Sequence, residues 1–334
     1  MIDLHLHLDG SLSKEDFEYL ARLNNVDLGK DFPDNIYVNK DCKSLNEYLE
    51  RFDLPLKLLQ NELSIFYATK SLILRLYKLG FIYAEIRFAP QLHTKKGMSQ
   101  NNAVIAAISG LKSGLSECPG LDANLILCCM RQNSPITNME TIKLADKFRN
   151  DKVVAVDLAG PEDAHPGTYY KAIFDDAYRR KLNITIHAGE ACGNEEVVTA
   201  INVLHAQRIG HGIHLNINKD NVDAILHRHI SFEFCPTSNL QTKSLNDYTD
   251  LPLSDFLRFG INVTINSDNM TVSNTNVYEE FIHLMRSLKM REFEVKHLLY
   301  NSINAAFVSD KQKAELRQAL DQKFAAFMEM NAKK

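Results

Sequence analysis

No two cysteines in this 334-residue chain stand two residues apart; the six lie at 42, 118, 128, 129, 192 and 235. That excludes a zinc knuckle, and a chain of this length does not need disulfide staples to hold a core. Basic residues are in no excess, since 38 Lys and Arg face 42 Asp and Glu for a formal net charge of −4. Following a nucleic-acid backbone requires a positive surface, so no nucleic-acid partner is expected. The paired Lys333 and Lys334 read as a solvated tail. No apolar run approaches the roughly 20 residues that span a bilayer, so no membrane partner is expected either. The opening MIDLHLHL carries acid and histidine where a secretion signal needs a basic and then an apolar stretch. A reducing, cytoplasmic setting is the expectation. The segment after the first apolar run, LHLDGSL, is not a glycine-rich phosphate loop. Neither a linker nor a repeat interrupts the chain, so a single domain over 1–334 is expected.

Apolar residues make up 45% of the chain and charged residues 24%, enough to bury a sizeable core. Eight short apolar or β-branched runs recur, at 2–8, 82–88, 124–130, 153–159, 183–188, 208–213, 231–235 and 262–267. Between them, segments such as 61–79, 98–116, 138–149, 168–181, 193–205 and 219–229 repeat apolar residues every three or four positions. Pro55, Pro90, Pro161, Pro166 and Pro236 fall near strand ends or in connections, as breakers. Strand alternating with helix implies parallel strands joined by crossovers, and eight of them predict a closed (β/α)8 TIM barrel. The first crossover is long, with helical patterns at 13–24 and 44–52. Extra helices there are placed to cover the barrel mouth, and further helices are predicted at 276–289, 292–306 and 310–331.

In such a barrel, alternate strand residues point inward, and those near the carboxyl ends reach the active-site face. His5 and His7 share a parity, so both point inward from an otherwise apolar strand. Buried neutral imidazoles need partners, and one dication would satisfy both. The fifth run ends ITIHAGE, delivering His187 and Glu190; the sixth carries RIGHGIH, with His211 between two glycines; the eighth ends TINSDN, delivering Asp268 and Asn269. Three imidazoles and one carboxylate suit zinc or another first-row divalent ion, and the lack of thiolate points to a catalytic site. Spacing leaves open which histidine is the third ligand. Cys128 and Cys129 read as strand-packing residues, and Cys235 falls on the seventh run.

The motifs HLHLDGSL, HAGE, RIGHGIH, FEFCPTSN and TINSDN, in that order from residue 2 to about 275, resemble adenosine deaminase within the metal-dependent amidohydrolase barrels. The resemblance implies one Zn2+ per chain, bound by His5, His7, His187 and Asp268. It implies Glu190 as the proton-transferring acid/base and His211 as the residue that holds the attacking water and stabilises its developing charge. Asp9 would bind a ribose hydroxyl, and the Gly160 N–H the purine ring. His7 also borders the substrate. Leu49 and Phe52, in YLERF, would cover the purine. Asn269 stands where many relatives carry a second aspartate that bonds purine N7. An amide donates to N7 without first needing a proton. The implied reaction is hydrolysis of adenosine, and of 2′-deoxyadenosine, to inosine-type product and ammonia. RIGHGIH and SDN favour a nucleoside over free adenine. A modified adenine nucleoside stays open, as does a protein that binds metal and nucleoside without turnover. A monomer and a small homo-oligomer are equally compatible.

Overall fold

The predicted alternation becomes eight parallel strands in sequence order: β1 (Ile2–His7), β2 (Tyr83–Phe88), β3 (Asp122–Met130), β4 (Val153–Ala159), β5 (Asn183–Ala188), β6 (Arg208–His211), β7 (Ser231–Phe234) and β8 (Asn262–Ile265). This computed structural model describes residues 1–38 and 41–331, so Lys333 and Lys334 lie outside the described residues. Each strand pairs in parallel with the next. The ring is drawn together where β8 runs out, by His7 N–H to the Asp268 carbonyl and Asp268 N–H to the His5 carbonyl, both 2.8 Å. The architecture is the expected (β/α)8 TIM barrel.

Helices follow at α1 (Lys14–Asn24), α2 (Leu45–Leu49), α3 (Asp53–Leu58), α4 (Glu62–Lys78), α5 (Gln100–Ser116), α6 (Pro135–Phe148), α7 (Lys171–Arg179), α8 (Asn194–Asn202), α9 (Lys219–His227), α10 (Pro236–Gln241), α11 (Leu253–Arg258), α12 (Val277–Ser287), α13 (Glu292–Ala305) and α14 (Asp310–Asn331). Local chemistry sets many of their starts. Ser13, Ser44, Asn61, Ser99, Ser134, Asn218 and Asn276 each accept an N–H of the first turn. The predicted 44–52 helix is instead α2 followed by a 3-10 turn, Glu50–Phe52. Pro55 does not break a connection but sits in the first turn of α3, where an N–H has no intrahelical partner to lose. Strand β6 stops at His211 rather than 213, because His211 and Gly212 turn left-handed, at φ 60° and 71°.

The two faces of β1 show how the core is divided. Ile2, Leu4, Leu6 and Leu8 are fully buried in the layer between strands and helices, while Asp3 and His5, of the other parity, are buried inside the barrel. Inside, the barrel is polar. Arg87 of β2 pairs with Asp157 of β4 at 3.0 Å and Glu233 of β7 at 2.8 Å, and Arg208 of β6 with Glu85 and Glu233, both at 2.6 Å. Charges this deep persist only when each has an opposite partner.

Candidate active site

At the carboxyl ends of the strands the polar interior opens into a cavity of about 300 Å3. Its floor carries His7, His187, Glu190, His211, Asp268 and Asn269, and its walls include Asp9, Met130, Gln132 and Gly160. Leu45, Tyr48, Leu49, Phe52 and Leu56 roof it, so the long first crossover covers the barrel mouth, and both Leu49 and Phe52 reach the cavity. Cys128 also lines it, whereas Cys129 faces away, with its thiol toward the Asn138 carbonyl at 3.6 Å. Cys235 lies one residue beyond β7, immediately before α10, and its side chain makes no capping bond.

Every histidine and carboxylate expected at the rim converges. Donor atoms of His5, His187, His211 and Asp268 all lie within 4.8 Å of one another. His7 Nε2 joins from the cavity side, 3.3 Å from His187 Nε2 and 3.4 Å from Asp268 Oδ1. The ring tautomers follow from what lies behind each imidazole. His5 Nδ1 donates to Glu233 at 2.7 Å, and His187 Nδ1 donates to Asp157 at 2.9 Å. Both therefore turn a bare Nε2 lone pair inward. His5 Nε2 is buried and has no hydrogen-bond partner. A lone pair so placed fits a cation, and the carboxylates behind it orient and strengthen the ligand. Burial holds His7 well below its ordinary range, keeping its ring neutral. Asp268 is pulled well below the usual carboxylate range by His5, His7 and His211 despite its burial. The donor set thus fits one divalent metal ion.

His211 is different. The Asn239 amide donates to its Nδ1 at 3.1 Å, which leaves the proton on Nε2. Burial drives its pKa down to about 3, so it is a neutral N–H donor. Its left-handed backbone sits between Gly210, where a Cβ would lie 3.0 Å from His5 Cε1, and Gly212, where one would lie 2.4 Å from the Phe232 ring. Those glycines admit the ring to the cluster.

Glu190 follows β5 in a loop held by another carboxylate. Glu162 accepts the N–H groups of Glu190, Ala191 and Cys192 at 3.1, 2.7 and 2.8 Å, and that of Gly189 as well. Glu190 itself is buried, with Oε2 3.7 Å from His211 Nε2. Desolvation, then Asp268 and Glu162, push its carboxyl well above the usual range. A neutral acid facing the cavity can deliver a proton.

Asp9 is buried, and its Oδ1 has no partner. Desolvation lifts its pKa to about 6. Gly160, at φ 96°, holds a left-handed backbone that favours glycine, with Gln132 Oε1 2.4 Å from where a Cβ would lie. Asn269 donates from Nδ2 to the Tyr48 hydroxyl at 3.0 Å. Sequence reasoning did not single out Glu233, Asp157, Arg87, Glu162, Asn239 or Tyr48. For Asp157 and Glu233 a signal existed: each is a carboxylate at an inward position of an apolar run, VVAVDLA and SFEFC.

The family model described as adenosine deaminase matches residues 1–323. An adenosine deaminase of Haemophilus ducreyi is 44% identical over 332 residues, covering 97% of this chain and 96% of that protein. One from Clostridium acetobutylicum is 36% identical over 324 residues, covering 96% of each. Among solved structures, an adenine deaminase from Arthrobacter aurescens superposes with a TM-score of 0.87 at 26% identity, covering 96% of this chain and 98% of that one. The Arabidopsis N6-mAMP deaminase gives 0.86 at 28% identity, covering 96% and 97%.

Proposed function

This chain belongs to the adenosine deaminase family and is a hydrolytic deaminase; we propose that it converts adenosine, and 2′-deoxyadenosine, to inosine or deoxyinosine and ammonia on a zinc ion held by His5, His7, His187 and Asp268. The observation that carries the site assignment is the convergence of His5, His187, His211 and Asp268, joined by His7 from the cavity side, beside the buried Glu190 on one cavity. Imidazole and carboxylate without thiolate is a set that zinc accepts. Zinc bound there would act as a Lewis acid, bringing the pKa of water from about 16 toward 7.

The protein's own groups supply the rest. His211 cannot offer a lone pair from Nε2 while Asn239 donates to Nδ1, so it serves as a proton donor that holds water and its developing charge, and His7 takes the ligand position. Glu190 is uncharged in the closed cavity and passes its proton to purine N1, which makes C6 electrophilic as water attacks. The Glu162 carboxylate, by gathering the loop amides, keeps Glu190 over the floor. Asp9 meets a ribose hydroxyl, whose O–H satisfies the orphaned Oδ1. Free adenine has no such hydroxyl and would leave that oxygen buried and unpaired, at roughly 1–3 kcal/mol. The Gly160 N–H meets the purine ring, Asn269 donates to N7, and Leu49 and Phe52 cover the apolar faces of the base.

A substrate panel tests this reading. Purified protein mixed with adenosine should shift the ultraviolet spectrum to that of inosine, with lower rates on adenine and AMP. Chelation should abolish the shift and added zinc restore it. Tight nucleoside binding without turnover by the zinc-loaded protein would overturn it. Asn269→Asp should weaken adenosine binding and make it fall as pH rises, since a carboxyl must keep a proton to donate to N7; unchanged affinity and pH dependence would remove Asn269 from the site.

A further inference from the structure

Tyr48 sits on α2, in the roof of the cavity, yet its hydroxyl is tied to the floor. The phenol is buried, lies 2.6 Å from Ser273 Oγ, and accepts the Asn269 amide N–H at 3.0 Å. A phenol has one proton. Since its oxygen accepts from Asn269, that proton is free to go to Ser273. Either hydroxyl can donate in the Tyr48–Ser273 pair; with the phenol proton on Ser273, the chain runs from Asn269 N–H through Tyr48 O–H to Ser273.

The other end of the amide is fixed by an absence. Asn269 Oδ1 is buried without a partner. It packs where a side chain at position 10 would be, for a Cβ on Gly10 would fall 1.9 Å from it. The carbonyl is lodged beside Gly10 and one N–H is used by Tyr48, which leaves the second N–H for a ligand in the cavity that Asn269 lines. Turning the amide over would set its nitrogen beside Gly10 and force the Tyr48 proton off Ser273.

We propose that Tyr48 is a positioning residue for purine recognition, its hydroxyl holding the Asn269 amide so that a donor, and not an acceptor, meets the imidazole edge of the base. This rests on the reading that Asn269 contacts N7. It makes the roof helix a contributor to base selection as well as a cover. Selection here needs no protonation, because an amide donates at every pH at which the protein is folded.

The test compares inhibition constants of inosine and 7-deazainosine, which differ in whether position 7 can accept a hydrogen bond. The native protein should favour inosine by about tenfold, the equivalent of one hydrogen bond. In Tyr48→Phe the preference should shrink to within about twofold, because the unheld amide presents oxygen as readily as nitrogen. Each ratio is taken on one preparation, so an inactive fraction cancels and a merely structural role for the phenol would leave the ratio unmoved. Ser273→Ala, which frees the phenol proton to point at the amide, should lower the preference in the same direction, and it carries the comparison should Tyr48→Phe fail to fold. A tenfold preference retained in the variants would overturn the role of Tyr48. No preference in the native protein would instead remove the N7 contact, and the proposal with it.

Discussion

Glu233 accepts hydrogen bonds from His5 at 2.7 Å, Arg87 at 2.8 Å, Arg208 at 2.6 Å and Thr185 at 3.0 Å, all inside the barrel. Replacing it by glutamine leaves two buried guanidiniums short of a counter-charge. Glu233→Gln should therefore cost about 3–5 kcal/mol in denaturant unfolding. It should also weaken metal binding by roughly 10–100-fold in chelator competition, because His5 loses the partner that sets its tautomer. Glu190, the proposed proton donor, makes a contrasting case, since its carboxyl has little structural part to play. Glu190→Gln keeps the shape but has no proton to transfer, so kcat should fall by roughly 10²–10⁴ with KM little changed in steady-state assays.

Between elements, close approach and shared carboxylates decide stability. Helix α5 lies so near α4 that a Cβ on Gly110 would be 2.3 Å from the Phe66 carbonyl oxygen, and one on Gly114 would be 2.8 Å from Ile73 Cβ. A glycine in mid-helix ordinarily costs up to about 1 kcal/mol against alanine. Here the sign should reverse: Gly110→Ala is expected to lower the melting temperature, since the two helices must part. Glu280 of α12 reaches across to α10, accepting the Thr237 N–H at 3.1 Å and the Thr275 hydroxyl at 2.7 Å. Burial raises its pKa from 4.5 to about 7. The folded form thus holds the proton more tightly than the unfolded chain. The favourable contribution is complete below pH 4.5 and is lost as pH rises from there through about 7, a swing of about 3 kcal/mol. Glu280→Gln should flatten that part of the stability profile, read as melting temperature against pH.

For the whole molecule, the proposed metal ligands stand where the barrel closes. His5 and His7 of β1, His187 of β5 and Asp268 after β8 are gathered there, and the backbone bonds from Asp268 to His5 and His7 close the ring at the same point. An ion bound only by the folded form stabilises it, by about 4 kcal/mol at a thousandfold excess over Kd. Chelation should then lower the melting temperature together with activity, and zinc should restore both. Loss of activity with no thermal shift would separate the cluster from folding. Among the described residues no helix is long and apolar enough to cross a membrane.

Periodicity along the chain was enough to locate all eight strands and the main crossover helices, because alternation and the three-to-four repeat are local properties of a half-buried element. The motif residues at strand ends were legible for a related reason: once a strand is placed in a parallel barrel, its carboxyl end and inward parity follow. Thus the convergence of His5, His7, His187, Glu190, His211 and Asp268 on one end of the barrel is legible from strand parity. The groups that hold them are not. Glu233 stands behind His5, 228 positions away, and Asp157 behind His187, 30 positions away. Glu162 gathers the Glu190 loop and Tyr48 bonds Asn269, and no spacing announces either contact. Such pairs exist only after closure brings the inner faces of non-neighbouring strands within hydrogen-bond reach. The chain by itself determined which polar side chains gather at the barrel mouth and at which end of the barrel they stand. Tautomer, protonation and orientation were decided by tertiary structure alone, because each depends on a partner that sequence distance does not encode.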